Sequence, residues 1–228
     1  YEARDGITSL SVHENMVSCV EGNSIAVVFD LDGLLSPFTY SGAGIQDAVL
    51  INSERLMISK SSTSLSPHVL LSINTRTGET VPVPVEGHLV YGLSRSDKDK
   101  NTLFAFRIQD GKSTKTEIIS LSVPVSDIPS TKERVLAQYG DEDTTATLCV
   151  NSGNIVTTLG KASMIELSVR NSRQVPLERN YALPKKPVYM NEFIVSLNQD
   201  GSLSWYNRSR RTHLVTGFLT HTGHWVAN

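Results

Sequence analysis

The residues able to do chemistry are few and scattered. Asp30 and Asp32 stand two apart at the end of the apolar run Ile25-Ala-Val-Val-Phe29, followed by Gly33 and two leucines. His213, His221 and His224 gather near the C-terminus, and His221-x-x-His224 could turn both imidazoles toward one metal ion across a tight turn. A structural zinc usually wants four ligands with cysteine among them. Both cysteines, Cys19 and Cys149, are distant in sequence and sit inside strand-like apolar stretches. They read as small buried hydrophobes, and the histidines as exposed turn residues. Basic groups occur locally at Lys98 and Lys100, at Lys161, at Lys185 and Lys186, and at Arg208, Arg210 and Arg211, each in or beside an expected turn. Gly42-Ala43-Gly44 lacks the third glycine of a dinucleotide fingerprint, and Gly111-Lys112-Ser113 has Phe106 where a phosphate loop needs glycine. No cofactor is expected.

The elements that must position these groups are strands. Short runs rich in Val, Ile, Leu, Thr and Ser, bounded by Gly, Asn, Asp or Pro, recur from end to end. One helix is expected, over 130–138, with Ser130 and Thr131 as caps and Glu133 in its first turn. A repeated unit of turn, strand, turn and strand appears five times, its second turns falling at Asp32-Gly33, Thr77-Gly78, Asp110-Gly111, Asn171-Ser172 and Arg210-Arg211. Asp-Gly and Thr-Gly tolerate the positive φ angles of tight hairpins, so each unit should be an antiparallel meander. Successive second turns are 45, 33, 61 and 39 residues apart, against roughly 40 to 45 for a four-stranded propeller blade. The long interval contains Pro124–Thr145, a polar, proline-punctuated stretch that reads as a surface insertion.

Composition narrows the classes of function. The 228 residues carry 21 Lys and Arg against 23 Asp and Glu, a net charge of -2. That balance lacks the basic excess of a nucleic-acid binder, so DNA and RNA are not expected partners. No apolar run reaches the ~18–20 residues of a membrane span. The length suits a single all-β domain over 1–228. The compartment stays open, cytoplasmic or exported.

Two family resemblances follow from particular residues. Ile25–Gly33, Leu70–Gly78 and Ser202–Asn207 resemble the third strand of WD40-type blades, which closes on an aromatic-Asp pair and a turn. Thr220–Ala227 is similar to the opening strand of a further blade. The resemblance implies an all-β propeller of four-stranded antiparallel blades, complete as a small ring or partial, that binds another macromolecule through its loops. Separately, Val27–Leu35 resembles the first motif of haloacid-dehalogenase-like phosphatases. That likeness implies Asp30 as phosphoryl-accepting nucleophile and Asp32 as acid/base. It departs at Leu34, where the family has threonine, and in the absence of helices between strands.

The expectation is a non-catalytic binding or scaffold module with a protein partner. Lys98, Lys100 and Lys161 would share one end of the ring and steer an acidic partner. The alternatives are the Asp30/Asp32 phosphatase and a structural segment of a larger envelope protein.

Overall fold

The computed structural model describes residues 5–62, 68–109, 115–123, 132–140, 147–151, 154–159, 163–179, 188–190, 192–197, 202–210, 212–219 and 225–227. Among them the regular structure is entirely β, in five antiparallel sheets. The first sheet is β1 (Ile7–His13), β2 (Met16–Glu21), β3 (Ile25–Asp30) and β4 (Phe38–Ser41). The second is β5 (Ile45–Asn52), β6 (Arg55–Lys60), β7 (Leu70–Asn74) and β8 (Thr80–Pro82). The third is β9 (Leu89–Arg95), β10 (Thr102–Ile108), β11 (Thr116–Ser122) and β12 (Lys132–Tyr139). The fourth is β13 (Thr147–Asn151), β14 (Asn154–Leu159), β15 (Ser163–Ser168) and β16 (Gln174–Arg179). A five-stranded sheet ends the chain, with β17 (Val188–Met190), β18 (Phe193–Leu197), β19 (Leu203–Asn207), β20 (Thr212–Leu219) and β21 (Trp225–Ala227). Within each sheet every strand pairs with its neighbours in sequence, so each is a meander.

The chain forms two compact units, Tyr1–Gln138 and Tyr139–Asn228. In the first unit the opening strands β1, β5 and β9 of successive sheets lie against one another, and in the second β13 lies against β17. The second sheet is covered on both faces. Ala48 and Leu50 of β5, with Leu56 and Ile58 of β6, pack with Val20, Ala26 and Val28 of the first sheet. Val49, Ile51 and Met57, the alternate positions of the same strands, pack with Val90, Leu93, Leu103, Ala105 and Ile119 of the third sheet. Successive strand side chains point to opposite faces. A sheet buried on both sides therefore reads as the continuous run Ala48-Val-Leu-Ile51 instead of an alternation. Each valine, leucine, isoleucine or methionine among them contributes about 1.5–3 kcal/mol on burial. Ser18 of β2 donates to the Ala48 carbonyl at 2.8 Å, satisfying a buried hydroxyl across the first and second sheets. Cys19 is buried and unpaired, and burial pushes its thiol pKa up. The side chain of Cys149 lies outside the described residues.

The expected helix over 130–138 is a strand: Lys132–Tyr139 is β12, the fourth strand of the third sheet. Nine residues are too few to hold a helix without tertiary support. The open edge of β11 offers a ladder instead, and pairing buries Leu136 and Ala137. The stretch 124–145 thus contributes a strand, and the rest of it lies outside the described residues. The irregular turn spacing also has a physical cause. Gly33, Gly78 and Ser172, all at positive φ, join third to fourth strands, whereas positions 110 and 111 fall between the second and third strands of their sheet. The third repeat was matched one hairpin early, which shortens the interval before it and lengthens the one after it.

Candidate binding surface at the turn end of the first unit

A meander sends its first-to-second and third-to-fourth connections to one end of the sheet, and its second-to-third connection to the other. In the first unit the former end carries Glu14 and Asn15, residues 31–37, Ser53 and Glu54, residues 75–79, and residues 96–101. The ends of β1, β5 and β9 meet there: Arg95 Nη1 donates to the Ile51 carbonyl at 3.2 Å and to His13 Nε2 at 3.0 Å. Below them Asp47 of β5 accepts from Ser9 of β1 at 2.8 Å and from the Gly92 and Leu93 amides of β9. One carboxylate therefore ties three opening strands.

Asp30 and Asp32 build a turn. Asp30 Oδ1 accepts from the Asp32 amide at 3.1 Å and from Asn15 Nδ2 at 2.7 Å, and Asp30 Oδ2 accepts from the Leu34 amide at 3.1 Å. Asn15 Nδ2 also donates to Asp32 Oδ2. Both Asp30 oxygens are thus acceptors for the loop that follows β3. The same position of the second sheet is Asn74, whose Oδ1 accepts from the Arg76 and Thr77 amides at 2.9 and 3.0 Å. In the fifth sheet it is Asn207, which accepts from the Arg210 amide at 2.8 Å. An Asx side chain closing the third strand is a recurrent device for starting the turn. β3 is antiparallel to both β2 and β4, whereas the phosphatase resemblance implies a parallel sheet.

The loop held by Asp30 displays apolar side chains. Leu31, Leu34 and Leu35 are 59%, 81% and 60% exposed. Beside them a cavity of about 330 Å³ opens between the first and second sheets, lined by Met16, Phe29, Leu35 and Phe38, with Glu54 and Arg76 on its rim. Glu54 and Arg76 form an exposed ion pair at 2.6 Å.

Nearer the opening strands the surface is polar and basic. His13 is 6% exposed, and Arg95 is half-buried. Arginine has only donors, so His13 Nε2 accepts and the ring proton sits on Nδ1, a buried atom with no hydrogen-bond partner among the described residues. Burial, then the Arg95 charge, lowers the His13 pKa, and burial lowers that of Arg95. Lys98 and Lys100 are exposed on the β9–β10 turn. That turn is fixed by Ser96 Oγ, which accepts from the Lys98 and Asp99 amides, and by Asp99, which accepts from the Thr102 hydroxyl at 2.7 Å and the Asn101 amide at 3.0 Å. Those two bonds hold the Asp99 carboxyl below the usual carboxylate range.

Lys161 lies outside the described residues. His213 is exposed, with Nε2 3.0 Å from the Thr216 hydroxyl. His221 and His224 lie outside the described residues. Sequence reasoning missed His13, Asp47 and Arg95. A signal existed: His13, Asn52, Arg95 and Asn151 each end the opening strand of a sheet, a polar position in four of the five sheets, the fifth having Met190 there.

These features define a class. Residues of the chain superpose on a chain of the crystal structure of the nidogen/laminin complex with TM-score 0.71 at 14% identity, covering 95% of this chain and 81% of that one. BamB from Moraxella catarrhalis gives TM-score 0.55 at 15% identity, covering 100% and 78%. The fold is an all-β propeller of antiparallel blades. A family model described as "Uncharacterised protein" matches residues 149–220. An "Uncharacterized protein" of Treponema pallidum (strain Nichols) is 36% identical over 86 residues, 38% of this chain and 94% of that protein, and the chain belongs to its family. Among the described residues no helix is long and apolar enough to cross a membrane.

Proposed function

We propose that this chain is a non-catalytic binding module, one propeller-like domain over 1–228, that docks a protein through the turn end of its first unit. The observation that carries the reading is the exposed leucine loop, Leu31, Leu34 and Leu35, held rigid by Asp30 and set beside a cavity that would take an apolar side chain. Propellers gather loops at their ends, where specificity changes without disturbing the strands beneath. We also read the repeats as divergent WD40-like ones, which Phe29-Asp30 at the close of β3 and the equivalent Asx residues Asn74 and Asn207 support.

The test is site-directed photocrosslinking in the native source. A photoreactive residue at position 34 should capture a protein that the same probe at Asn23, on a second-to-third turn, does not. Leu34→Ser with Leu35→Ser should cut that capture at least about tenfold, as loss of a central apolar anchor does. Equal crosslinking from positions 34 and 23, or capture that ignores the double substitution, rules the surface out.

A further inference from the structure

We infer that Arg95, with His13 beside it and Lys100 on the adjoining turn, is a carboxylate-binding site that receives an acidic residue of the protein partner. The inference rests on the binding-module reading above and names the chemistry of one contact within it.

Arg95 differs from three arginines that have carboxylate partners. Arg107 is paired with Glu117 and Glu133, Arg76 with Glu54, and Arg208 with Glu166. Arg95 is half-buried, yet no carboxylate among the described residues lies within ion-pair distance of it. Its Nη1 donates to Ile51 O and His13 Nε2, while Nε and Nη2 have no partner among the described residues. Glu14 is a nearby counter-charge but makes no direct ion pair with Arg95, and a partly desolvated cation in that state is costly; a bound anion offsets that cost. The planar guanidinium fork matches a carboxylate's two oxygens.

His13 makes the site responsive to protons. Three charged groups act on it: Arg95 from β9, Glu14 from its own turn at 3.9 Å, and Lys100 from the β9–β10 turn. Neutral, it accepts from Arg95. Protonated, its Nε2 becomes a donor and must give up the Arg95 bond, and the two adjacent cations are then both favoured by an anion at the guanidinium. Anion and proton therefore favour one another's binding, and by linkage the effect is reciprocal. The surroundings fit a polypeptide ligand. Ile51, whose carbonyl accepts from Arg95, and Glu14, beside His13, lie two or three residues along the chain from Ser53, Glu54 and Met16, which line the cavity, so an extended segment could place an apolar side chain in the cavity and an acidic one at Arg95.

The experiment follows the His13 ring resonance by NMR across its titration in the full chain. The probes are acetate, inorganic phosphate, and an acetylated Leu- and Glu-containing pentapeptide with its Gln counterpart, against sodium chloride at equal ionic strength. Acetate and the Glu peptide should raise the His13 pKa, and the Glu peptide should bind about tenfold tighter than the Gln peptide. Both responses should vanish in Arg95→Met and weaken in Arg95→Lys, which keeps the charge but loses the fork, with the backbone amide spectrum otherwise unchanged. No response beyond chloride in the wild-type protein overturns the inference, as does an equal response in Arg95→Met. A stronger response to phosphate than to acetate overturns the carboxylate assignment. Acetate binding without preference for the Glu peptide overturns it as a polypeptide site. If the peptides fail while Leu34 and Leu35 still govern capture, this inference falls and the binding-module reading stands.

Discussion

His13 is a buried neutral imidazole whose Nδ1 proton has no acceptor among the described residues, and its burial has a measurable cost in acid. In the unfolded chain its pKa is the ordinary 6.5, whereas burial and Arg95 lower it in the fold. The folded protein thus binds fewer protons, so the stability it draws from neutral His13 is complete above about pH 6.5 and is lost as pH falls through the lower folded value. His13→Gln, which keeps an acceptor but cannot titrate, should flatten the acid side of the stability profile. Urea midpoints at about pH 7 and about pH 5 check this, and parallel losses in both proteins would count against the linkage. Neither His13 nor Arg95 stood out in the sequence, because 82 residues separate them and only the stacking of opening strands makes them neighbours. Asp30 and Asp32 did stand out, as carboxylates able to do chemistry. What their spacing gives is an Asx turn that holds the leucine loop.

Between neighbouring strands, the strongest polar feature lies far from the proposed surface. Arg107 of β10 and Glu117 of β11 stand directly opposite in register, both buried. Arg107 Nε donates to Glu117 Oε2 at 2.8 Å, and Gln138 of β12 donates to Glu117 Oε1 at 2.6 Å, so the ion pair joins three strands. Removing Arg107 leaves the Glu117 carboxylate buried without its cation, so Arg107→Met should cost about 3–5 kcal/mol, whereas Glu117→Leu leaves Arg107 its pair with Glu133 and should cost less. The double substitution should recover much of that loss, since a well-packed apolar pair can replace a buried ion pair. Chemical denaturation of the two single variants and the double variant measures the coupling, and additive losses would show that the pair is not the source. At this scale hairpins were legible wherever Gly at positive φ marks them, as at Gly33 and Gly78. The strand at 132–139 was not, because Leu136 and Ala137 are buried by an edge that only the folded sheet supplies.

For the molecule as a whole, the propeller class was legible because its signal is repetition, and five turn-strand-turn units survive even when one is misphased. The proposed docking surface was harder to read, since it is assembled from turns of different sheets that share no motif. The burial of the second sheet on both faces makes it the expected centre of stability in the first unit. Amides of β6 and β7 should exchange slowest in native-state hydrogen exchange, ahead of those of β4 and β8 at sheet margins. Uniform exchange across the four strands of that sheet would contradict this. Meander connectivity has one more effect, on synthesis. Hairpins close in roughly 1–10 μs, whereas a ribosome adds about 5–20 residues per second. Because each strand's hydrogen-bond partners are its sequence neighbours, a sheet can be paired almost as soon as its last strand leaves the ribosomal tunnel. Among the described residues of the first unit, Ser61 with Leu89 is the isolated bridge between sheets. Assembly of the first unit is therefore vectorial: each nascent sheet presents a finished face to the next, and none of its described strands waits for a distant partner.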